Sequence, residues 1–227
     1  MHLMPTPKPA IPGLEVFVRF QPARGLGGDL YDFLAYGKDR HMIAVGDVSG
    51  KGAPAALYGA MASGTLRSLA PQRLMPAEML KKLNTMLLER KIEGHFLTLS
   101  LCTWEPKNRS LRIANAGMPL PMLIRRNRAQ AIRAEGVPLG LLDHTEYQET
   151  AVTLQKGDLL ALFSDGIVEA TNPELSEFGN RRLESLLRDH CRKPLQTLMG
   201  RIFSEITKYE DGRPPRDDQT MVLIRIL

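Results

Sequence analysis

Aspartates at the ends of strand-like segments are the residues of this chain whose types and spacing best suit chemistry. Two of these aspartates follow apolar runs, namely Asp47 and Asp165. Three others precede apolar runs, namely Asp29, Asp217 and Asp218. In an antiparallel sheet the C-terminal end of one strand lies beside the N-terminal end of its neighbour. We therefore expect these acids to converge on one rim of the fold.

Carboxylates that gather on one rim repel each other, so they need a cation to be stable together. A set of ligands made only of oxygen suits Mg²⁺ or Mn²⁺ rather than Zn²⁺. A single aspartate at a strand end is more often a turn or helix cap, but four such positions together favour a metal site. The pattern predicts a metal-assisted hydrolase.

Composition places the chain among ordinary globular proteins. Its 227 residues, 43% hydrophobic and 24% charged, fit one fairly large domain. The net charge of +5 is mild, and the densest basic run, 125–128, predicts a solvated hairpin tip rather than a nucleic-acid site. The separated Cys102 and Cys191 indicate free thiols in a reducing compartment. With no membrane-length apolar stretch and no signal peptide, we expect a cytoplasmic protein that binds neither nucleic acid nor membrane.

Hydrophobic periodicity predicts the elements that must position the acids. The prolines of residues 1–13 predict an extended lead-in or the end of a linker, followed by one domain over 14–227. Strands are predicted over 14–20, 30–36, 41–45, 96–104, 110–115, 121–125, 146–154, 158–163 and 219–227. Helices are predicted over 53–69, 76–90, 180–190 and 194–209.

The order of these elements favours two layers of mostly antiparallel sheet, with a helix pair on each outer face, because parallel winding would alternate strand and helix more strictly. We expect residues 96–125 to form a meander and residues 146–163 to form a hairpin. The small residues Ala53, Ala56, Ala60 and Gly64 are expected to pack the first helix closely on a sheet.

Five short segments carry a resemblance to a known family. They are GGDLYDF at 27–33, GDVSGKG at 46–52, NAG at 115–117, FSDGIVE at 163–169 and DDQT at 217–220. In this order they resemble the motifs of PPM-type, metal-dependent protein serine/threonine phosphatases. The most similar branch is the bacterial stage-II-sporulation-E and sigma-factor-regulator type, and the resemblance spans about residues 12–227.

The resemblance implies an α+β fold, an α-β-β-α sandwich with two Mn²⁺ or Mg²⁺ ions at one end of its two sheets. It implies dephosphorylation of phosphoserine or phosphothreonine on a small protein, typically an anti-anti-sigma factor in a partner-switching circuit. Relatives often carry an upstream sensor and are controlled by dimerisation, so a homodimer and an upstream or separate regulatory domain are expected. Because the chain begins almost at the catalytic domain, that regulator is expected to be absent, supplied in trans, or cut away.

The resemblance also implies direct attack on phosphorus by a metal-bridging water, which needs no protein nucleophile. Asp47 is expected to bridge the ions and, with Asp29, to form the catalytic pair. Asp29 and Asp165 would complete the metal coordination, together with the backbone carbonyl of Val48.

Of the adjacent acids Asp217 and Asp218, Asp217 fits the family's ligand position better. Asp218 is expected either to be a further ligand or to support the ligands without contacting the metal. Arg24 matches the spacing of a phosphate-binding arginine, although a solvated loop arginine is an equal alternative. Met118 stands where the family often has histidine, which puts a substrate or loop contact in doubt. Ser49 has no neighbouring base, so a turn role is favoured over a nucleophile.

Two other functions remain open at this point. One is a catalytically silent interaction domain with a phosphatase fold, which intact acids argue against. The other is a metal-dependent phosphodiesterase or nuclease, which the lack of a basic or aromatic groove argues against. None of the five histidines lies inside a motif, so the sequence identifies no general acid.

Overall fold

Two antiparallel sheets of five strands each form the centre of the protein. The structure is a computed structural model that describes residues 5–35, 37, 39–90 and 92–227. Its strands are β1 Leu14–Gln21, β2 Leu30–Ala35, β3 His41–Val48, β4 Leu97–Glu105, β5 Ser110–Ala116, β6 Met122–Arg125, β7 Arg128–Ala131, β8 Glu149–Thr153, β9 Leu159–Phe163 and β10 Gln219–Ile226. The first sheet has the order β1-β10-β9-β6-β7 and the second has the order β2-β3-β4-β5-β8.

Helices cover the outer faces of both sheets. They are α1 Ala53–Leu69, α2 Pro76–Glu89, the single turn α3 Asp165–Val168, α4 Gly179–His190 and α5 Leu195–Tyr209. One buried cluster joins α1 and α2 to the second sheet, and another joins α4 and α5 to the first. A third cluster lies between the sheets, where alternate strand residues such as Val16, Val18, Ile43 and Val45 interdigitate. The layers run α-β-β-α, so the predicted fold class is confirmed.

The helices have amphipathic faces that match this layering. In α2 the buried residues recur at helical spacing, as do those of α5, because each helix packs on a single sheet. Among the residues that the structure describes, no helix is long and apolar enough to cross a bilayer.

The predicted connections between strands were wrong in two places. β4 and β5 pair as expected, but β6 leaves the meander and joins the first sheet beside β9. The predicted hairpin of β8 and β9 does not form, since β8 pairs with β5 in the second sheet. All five residues of β9 are buried, which suits a central strand, whereas β8 is half exposed and suits an edge. The turn between them is held by β10, through the bond from Gly157 N to Ile226 O (2.8 Å).

Two short elements were missing from the sequence-based assignment. These are β7, which is polar and only four residues long, and α3, which is a single turn. The boundaries of α1 match the prediction, and β3 extends to Val48, three residues farther than predicted. Tyr36 and Lys38, which fall at the predicted end of β2 and in its turn, lie outside the described residues.

The predicted packing face of α1 was also wrong. The helix buries Tyr58, Gly59, Ala62 and Leu66, whereas Ala60 is exposed. The buried face carries Tyr58 and Leu66, whose side chains release more free energy on burial than alanine does, and the small Gly59 and Ala62 lie on the same face.

Residues 5–13 run without helix along the two sheets. Three hydrogen bonds of 2.9 Å hold them: Val18 N and the Tyr31 hydroxyl donate to the carbonyl oxygens of Pro7 and Pro5, and Trp104 Nε1 donates to Pro12 O. Residues 1–4 lie outside the described residues.

Candidate metal centre

Strand pairing places the aspartates at one end of each sheet. In the first sheet the end of β9 lies beside the start of β10, with Phe163 opposite Met221. Asp165 follows the former strand and the pair 217–218 precedes the latter. In the second sheet Leu30 lies opposite Gly46, so that Asp29 and Asp47 flank the same end of the β2–β3 pair.

Hydrogen bonds join these two ends across the sandwich. Gly28 N donates to Asp218 Oδ2 at 2.7 Å, and the Ser164 hydroxyl donates to Asp29 Oδ2 at 2.8 Å. Ser164 also accepts a bond from Thr220 N at 2.9 Å. The structure thus brings the acids of both sheets to one rim.

Glycine is required where the loops approach each other most closely. A Cβ on Gly28 would lie 2.7 Å from the carbonyl oxygen of Val48 and 3.2 Å from Asp47 Oδ1. A Cβ on Gly166 would collide with the carbonyl oxygen of Asp218. Both glycines therefore let backbone and carboxylate oxygens gather at a spacing that a side chain would prevent.

Burial and mutual repulsion disfavour negative charge on three of the acids. Burial, and then the charge of Asp47, raise the pKa of Asp29 well above its ordinary value. Burial, followed by the charges of Asp165 and Asp217, raises the pKa of Asp47 to about 7. The pKa of Asp165 is raised by burial and then by Asp217. A cation between these groups would offset both the burial of the negative charges and their mutual repulsion.

The donors at this rim fit a hard divalent cation. Oδ1 of Asp29 is buried and has no hydrogen-bond partner, which leaves a carboxylate oxygen free to coordinate. The neighbouring donors are the carboxylates of Asp47 and Asp165 and the carbonyl of Val48, all of them oxygen. In the described ranges, no three acidic, histidine or cysteine side chains stand close enough to hold one ion. Coordination of one ion by several of these acids would therefore require their side chains to approach one another.

The adjacent Asp217 and Asp218 lie in different surroundings. Asp217 is half exposed, and its Oδ2 lies 2.9 Å from Lys51 Nζ. Asp218 is buried, and its carboxylate accepts bonds from Ala23 N (2.8 Å) and Gly28 N (2.7 Å). Asp217 therefore retains an accessible carboxylate, whereas the carboxylate of Asp218 holds the loop that leads to β2.

The family comes from comparison with known proteins. The family model described as "Stage II sporulation protein E (SpoIIE)" matches residues 37–227. The chain belongs to the SpoIIE family. This confirms the resemblance that the five motifs predicted.

One curated relative of this SpoIIE-family chain is the phosphoserine phosphatase RsbU of Bacillus subtilis. It is 28% identical over 225 residues, which cover 98% of this chain and 66% of RsbU. The chain thus spans slightly less than two thirds of that relative. The name of RsbU, phosphoserine phosphatase, agrees with the enzyme class predicted from the motifs.

Solved structures share the fold of this SpoIIE-family domain. The SiaA-PP2C domain of Pseudomonas aeruginosa superposes with a TM-score of 0.84 at 24% identity, covering 93% of this chain and 86% of that one. The RsbU and RsbW domains of Rv1364c from Mycobacterium tuberculosis give a TM-score of 0.86 at 21% identity, covering 100% of this chain and 63% of that one.

Three other residues discussed from the sequence lie near the SpoIIE-family site. Arg24 is exposed in the loop that Asp218 holds, and its side chain has no partner among the described residues. The Ser49 hydroxyl donates to Gly94 O (3.2 Å) and accepts from Phe96 N (2.8 Å), the arrangement of a loop-binding residue. Met118 is buried.

Sequence reasoning missed three residues that support the acids. Lys51 pairs with Asp217, Ser164 binds Asp29, and the Thr98 hydroxyl donates to the carbonyl oxygen of Asp47 at 3.1 Å. The position of Lys51 between two glycines, four residues after Asp47, was the only signal in the sequence. Thr98 lies in a distant strand and gave none.

Proposed function

We propose that this domain is a metal-dependent protein serine/threonine phosphatase that hydrolyses phosphoserine or phosphothreonine on a small regulatory protein. The observation that carries the proposal is the buried, unpartnered Oδ1 of Asp29 among acids whose pKa values are raised by burial and mutual repulsion. Such a group of carboxylates is costly unless a cation binds it.

We assign the ligands to Asp29, Asp47, Asp165 and Asp217, with the carbonyl of Val48, and the cofactor to two Mn²⁺ or Mg²⁺ ions. When bound, such ions lower the pKa of an attacking water and neutralise charge on the phosphoryl group. We assign Asp47 and Asp29 as the catalytic pair because they flank the same end of the β2–β3 pair and the charge of Asp47 helps to raise the pKa of Asp29.

No side chain is needed as a nucleophile in this scheme. Ser49, the hydroxyl nearest in sequence to Asp47, already bonds to Gly94 and Phe96, and its position suits the closing of a loop. Ser164 is fully buried and donates to Asp29, which orients the carboxylate rather than exposing a hydroxyl to substrate. Asp218 would act behind the ligands by holding the loop that carries Arg24, our candidate for contact with the substrate phosphate.

The substrate class is proposed from the relatives. RsbU is named a phosphoserine phosphatase, and Rv1364c joins an RsbU domain to an RsbW domain. A phosphorylated anti-anti-sigma-type protein in a partner-switching circuit fits this chain by analogy. Regulation by a further domain or by homodimerisation belongs to the same proposal. So does a cytoplasmic location, which the free thiols Cys102 and Cys191 suit.

A catalytically silent interaction domain is the second candidate. The observation in its favour is that Lys51 already pairs with Asp217, so that one acid of the rim is neutralised by the chain itself. Among the residues that the structure describes, no basic side chain lowers the pKa of Asp29 or Asp47, and the nearby charge of Lys51 does not offset the effect of burial on the pKa of Asp165, which favours the enzyme.

The test is hydrolysis of p-nitrophenyl phosphate with Mn²⁺, with Mg²⁺ and with EDTA, in the wild type and in Asp47→Asn. Asp189→Asn is the matched control, because Asp189 is an exposed aspartate of α4 without a partner among the described residues. We expect metal-dependent turnover in the wild type and the control. In folded Asp47→Asn turnover should fall by about a hundredfold or more.

Two results would reject the phosphatase assignment. Undiminished turnover in Asp47→Asn would show that hydrolysis does not depend on this group of carboxylates. Calorimetry showing bound Mn²⁺ in a wild type that hydrolyses neither p-nitrophenyl phosphate nor a phosphoserine peptide would favour the silent domain.

A further inference from the structure

A second polar pocket, of about 530 Å³, opens at the end of the first sheet opposite to the acids. Two strands fix its position. Asp158 precedes β9, whose other end leads to Asp165, and Arg225 lies near the end of β10, whose start follows Asp218. Seven residues of extended chain separate each pair, or roughly 20 Å. The pocket is therefore separate from the candidate metal centre.

Positive charge dominates the lining of this pocket. Arg126, Lys156, Arg192 and Arg225 line it, and Asp158 is its one acid. Asp158 is buried and accepts three hydrogen bonds from the Arg125 guanidinium at 2.6 to 3.1 Å. Its charge is thus compensated by Arg125 and does not offset the cations that line the pocket.

Three of the four cations have no counter-ion. Within the part of the chain that the structure describes, no acceptor contacts the side chains of Arg126, Lys156 or Arg192, and all three are exposed. Arg225, in contrast, pairs with Glu15 at 3.2 Å. The pocket therefore carries an uncompensated positive charge of three in a small concave space, where charges of one sign reinforce each other.

The frame of the pocket is rigid. Arg225 Nη2 donates to the carbonyl oxygens of Cys191 (2.8 Å) and Lys193 (2.6 Å), which fixes the segment after α4. On the facing side Arg126 and Asn127 form the two-residue turn of the β6–β7 hairpin, both with positive φ (49° and 63°). Asparagine and glycine are the usual residues of such a turn. An arginine there holds a strained backbone at the rim of the pocket.

We infer that this pocket binds an acidic segment of a protein partner, a short stretch of chain bearing several carboxylates. Three cations on three separate loops match several separated anionic groups better than one phosphate. The lining has no aromatic side chain on which a nucleic-acid base would stack. Its concave shape, with Ile124 as its only large apolar residue, does not suit a lipid surface. The inference does not depend on the phosphatase activity.

The experiment measures binding of a fluorescein-labelled hexaglutamate peptide to the full chain by anisotropy at low and at physiological salt. The variants are Arg126→Glu and Arg192→Glu, each tested alone so that one misfolded variant does not decide the result. Arg90→Glu is the matched control, since Arg90 is exposed at the end of α2 on the other face of the fold. Single-stranded oligothymidylate and anionic lipid vesicles serve as competing probes.

We expect the wild type and Arg90→Glu to bind hexaglutamate alike, with an affinity that falls as salt rises. Each pocket variant should lose about three- to tenfold in affinity. The inference is overturned if hexaglutamate does not bind, or if Arg90→Glu weakens binding as much as Arg192→Glu. Binding of the oligothymidylate or of the vesicles more tightly than hexaglutamate would also overturn the inference, because the pocket would then suit another class of partner.

Discussion

Lys51 Nζ lies 2.9 Å from Asp217 Oδ2 and 2.6 Å from the carbonyl oxygen of Arg216. The ammonium group thereby links the loop after β3 in the second sheet to the loop before β10 in the first. Both side chains of the pair remain about half exposed, at 42% and 48%. A metal ion coming to Asp217 would have to share this carboxylate with Lys51.

The first prediction concerns this competition. Lys51→Met should bind Mn²⁺ about two- to fivefold more tightly. An exposed ion pair of this kind contributes up to about 1 kcal/mol, and in the variant the metal no longer competes with the lysine for the carboxylate of Asp217. Isothermal titration calorimetry at moderate ionic strength would measure the change. Lys51→Arg keeps the cation and should match the wild type. Weaker binding in Lys51→Met would mean that the lysine orders the loop instead.

The second prediction separates the roles of the two adjacent aspartates. Asp217→Asn should weaken Mn²⁺ binding by at least about tenfold, with little change in the free energy of unfolding because the side chain is half exposed. Asp218→Asn should destabilise the fold by about 1.5–3 kcal/mol, because an amide cannot accept bonds from both Ala23 N and Gly28 N. Urea unfolding in EDTA and calorimetry with Mn²⁺ provide the two readouts.

Each of these variants is the control for the other. If both destabilised the protein equally, the assignment of Asp218 to loop positioning would fail. If Asp218→Asn lost metal affinity while the free energy of unfolding stayed unchanged, Asp218 would instead be a direct ligand.

The third prediction concerns Met118, which stands where the family often has histidine. It is buried, Asn115 binds both its backbone N (2.9 Å) and O (2.8 Å), and its Sδ lies 3.1 Å from Thr98 Oγ1. Met118 is therefore a core residue. Met118→Leu should cost less than about 1.5 kcal/mol and leave p-nitrophenyl phosphate turnover near the wild-type value. Turnover lost as fully as in Asp47→Asn would show a direct role in the site.

The rim of acids could be predicted from the sequence because it depends on local signals. Each aspartate adjoins an apolar run, and antiparallel pairing brings the ends of neighbouring strands together. The contacts of Lys51 and Thr98 are made between segments far apart in the chain, and hydrophobic periodicity does not predict such contacts. The sheet to which β8 and β9 belong was missed for the same reason, since the turn at Gly157 is fixed by Ile226, nearly seventy residues away.

The basic pocket is another feature that the sequence predicted only in part. The run 125–128 was visible in the sequence as a hairpin tip, and the structure has the β6–β7 turn there. What the sequence did not show is that Arg125 turns back onto Asp158, while Arg126 faces Lys156 and Arg192 across a cavity. Such a division of roles within one basic run is set by tertiary contacts.

The last prediction follows from the raised pKa of Asp47, about 7 against an ordinary value of 3.8. Between these values the folded protein retains a proton that the unfolded chain has lost, so the free energy of unfolding falls as pH rises. Each pH unit in this window costs up to about 1.4 kcal/mol for one such group. Asp47→Asn carries no titrating group at this position. In EDTA it should therefore gain stability relative to the wild type from pH 4.5 to pH 7.5.

Urea unfolding of both proteins across this pH range, with EDTA and then with Mn²⁺, measures the difference directly. The charge of Asp47 helps to raise the pKa of Asp29, so the substitution also relieves Asp29 and adds to the gain in the same direction. Titrating groups far from Asp47 are common to the two proteins and cancel. With Mn²⁺ at pH 7.5 the wild type should become the more stable of the two proteins. The cation stabilises the ionised Asp47 of the wild type, whereas the variant has no carboxylate at this position to bind it. A stability difference that does not change with pH in EDTA would contradict the burial of a titrating carboxyl at this position, and with it the electrostatic argument for the cation.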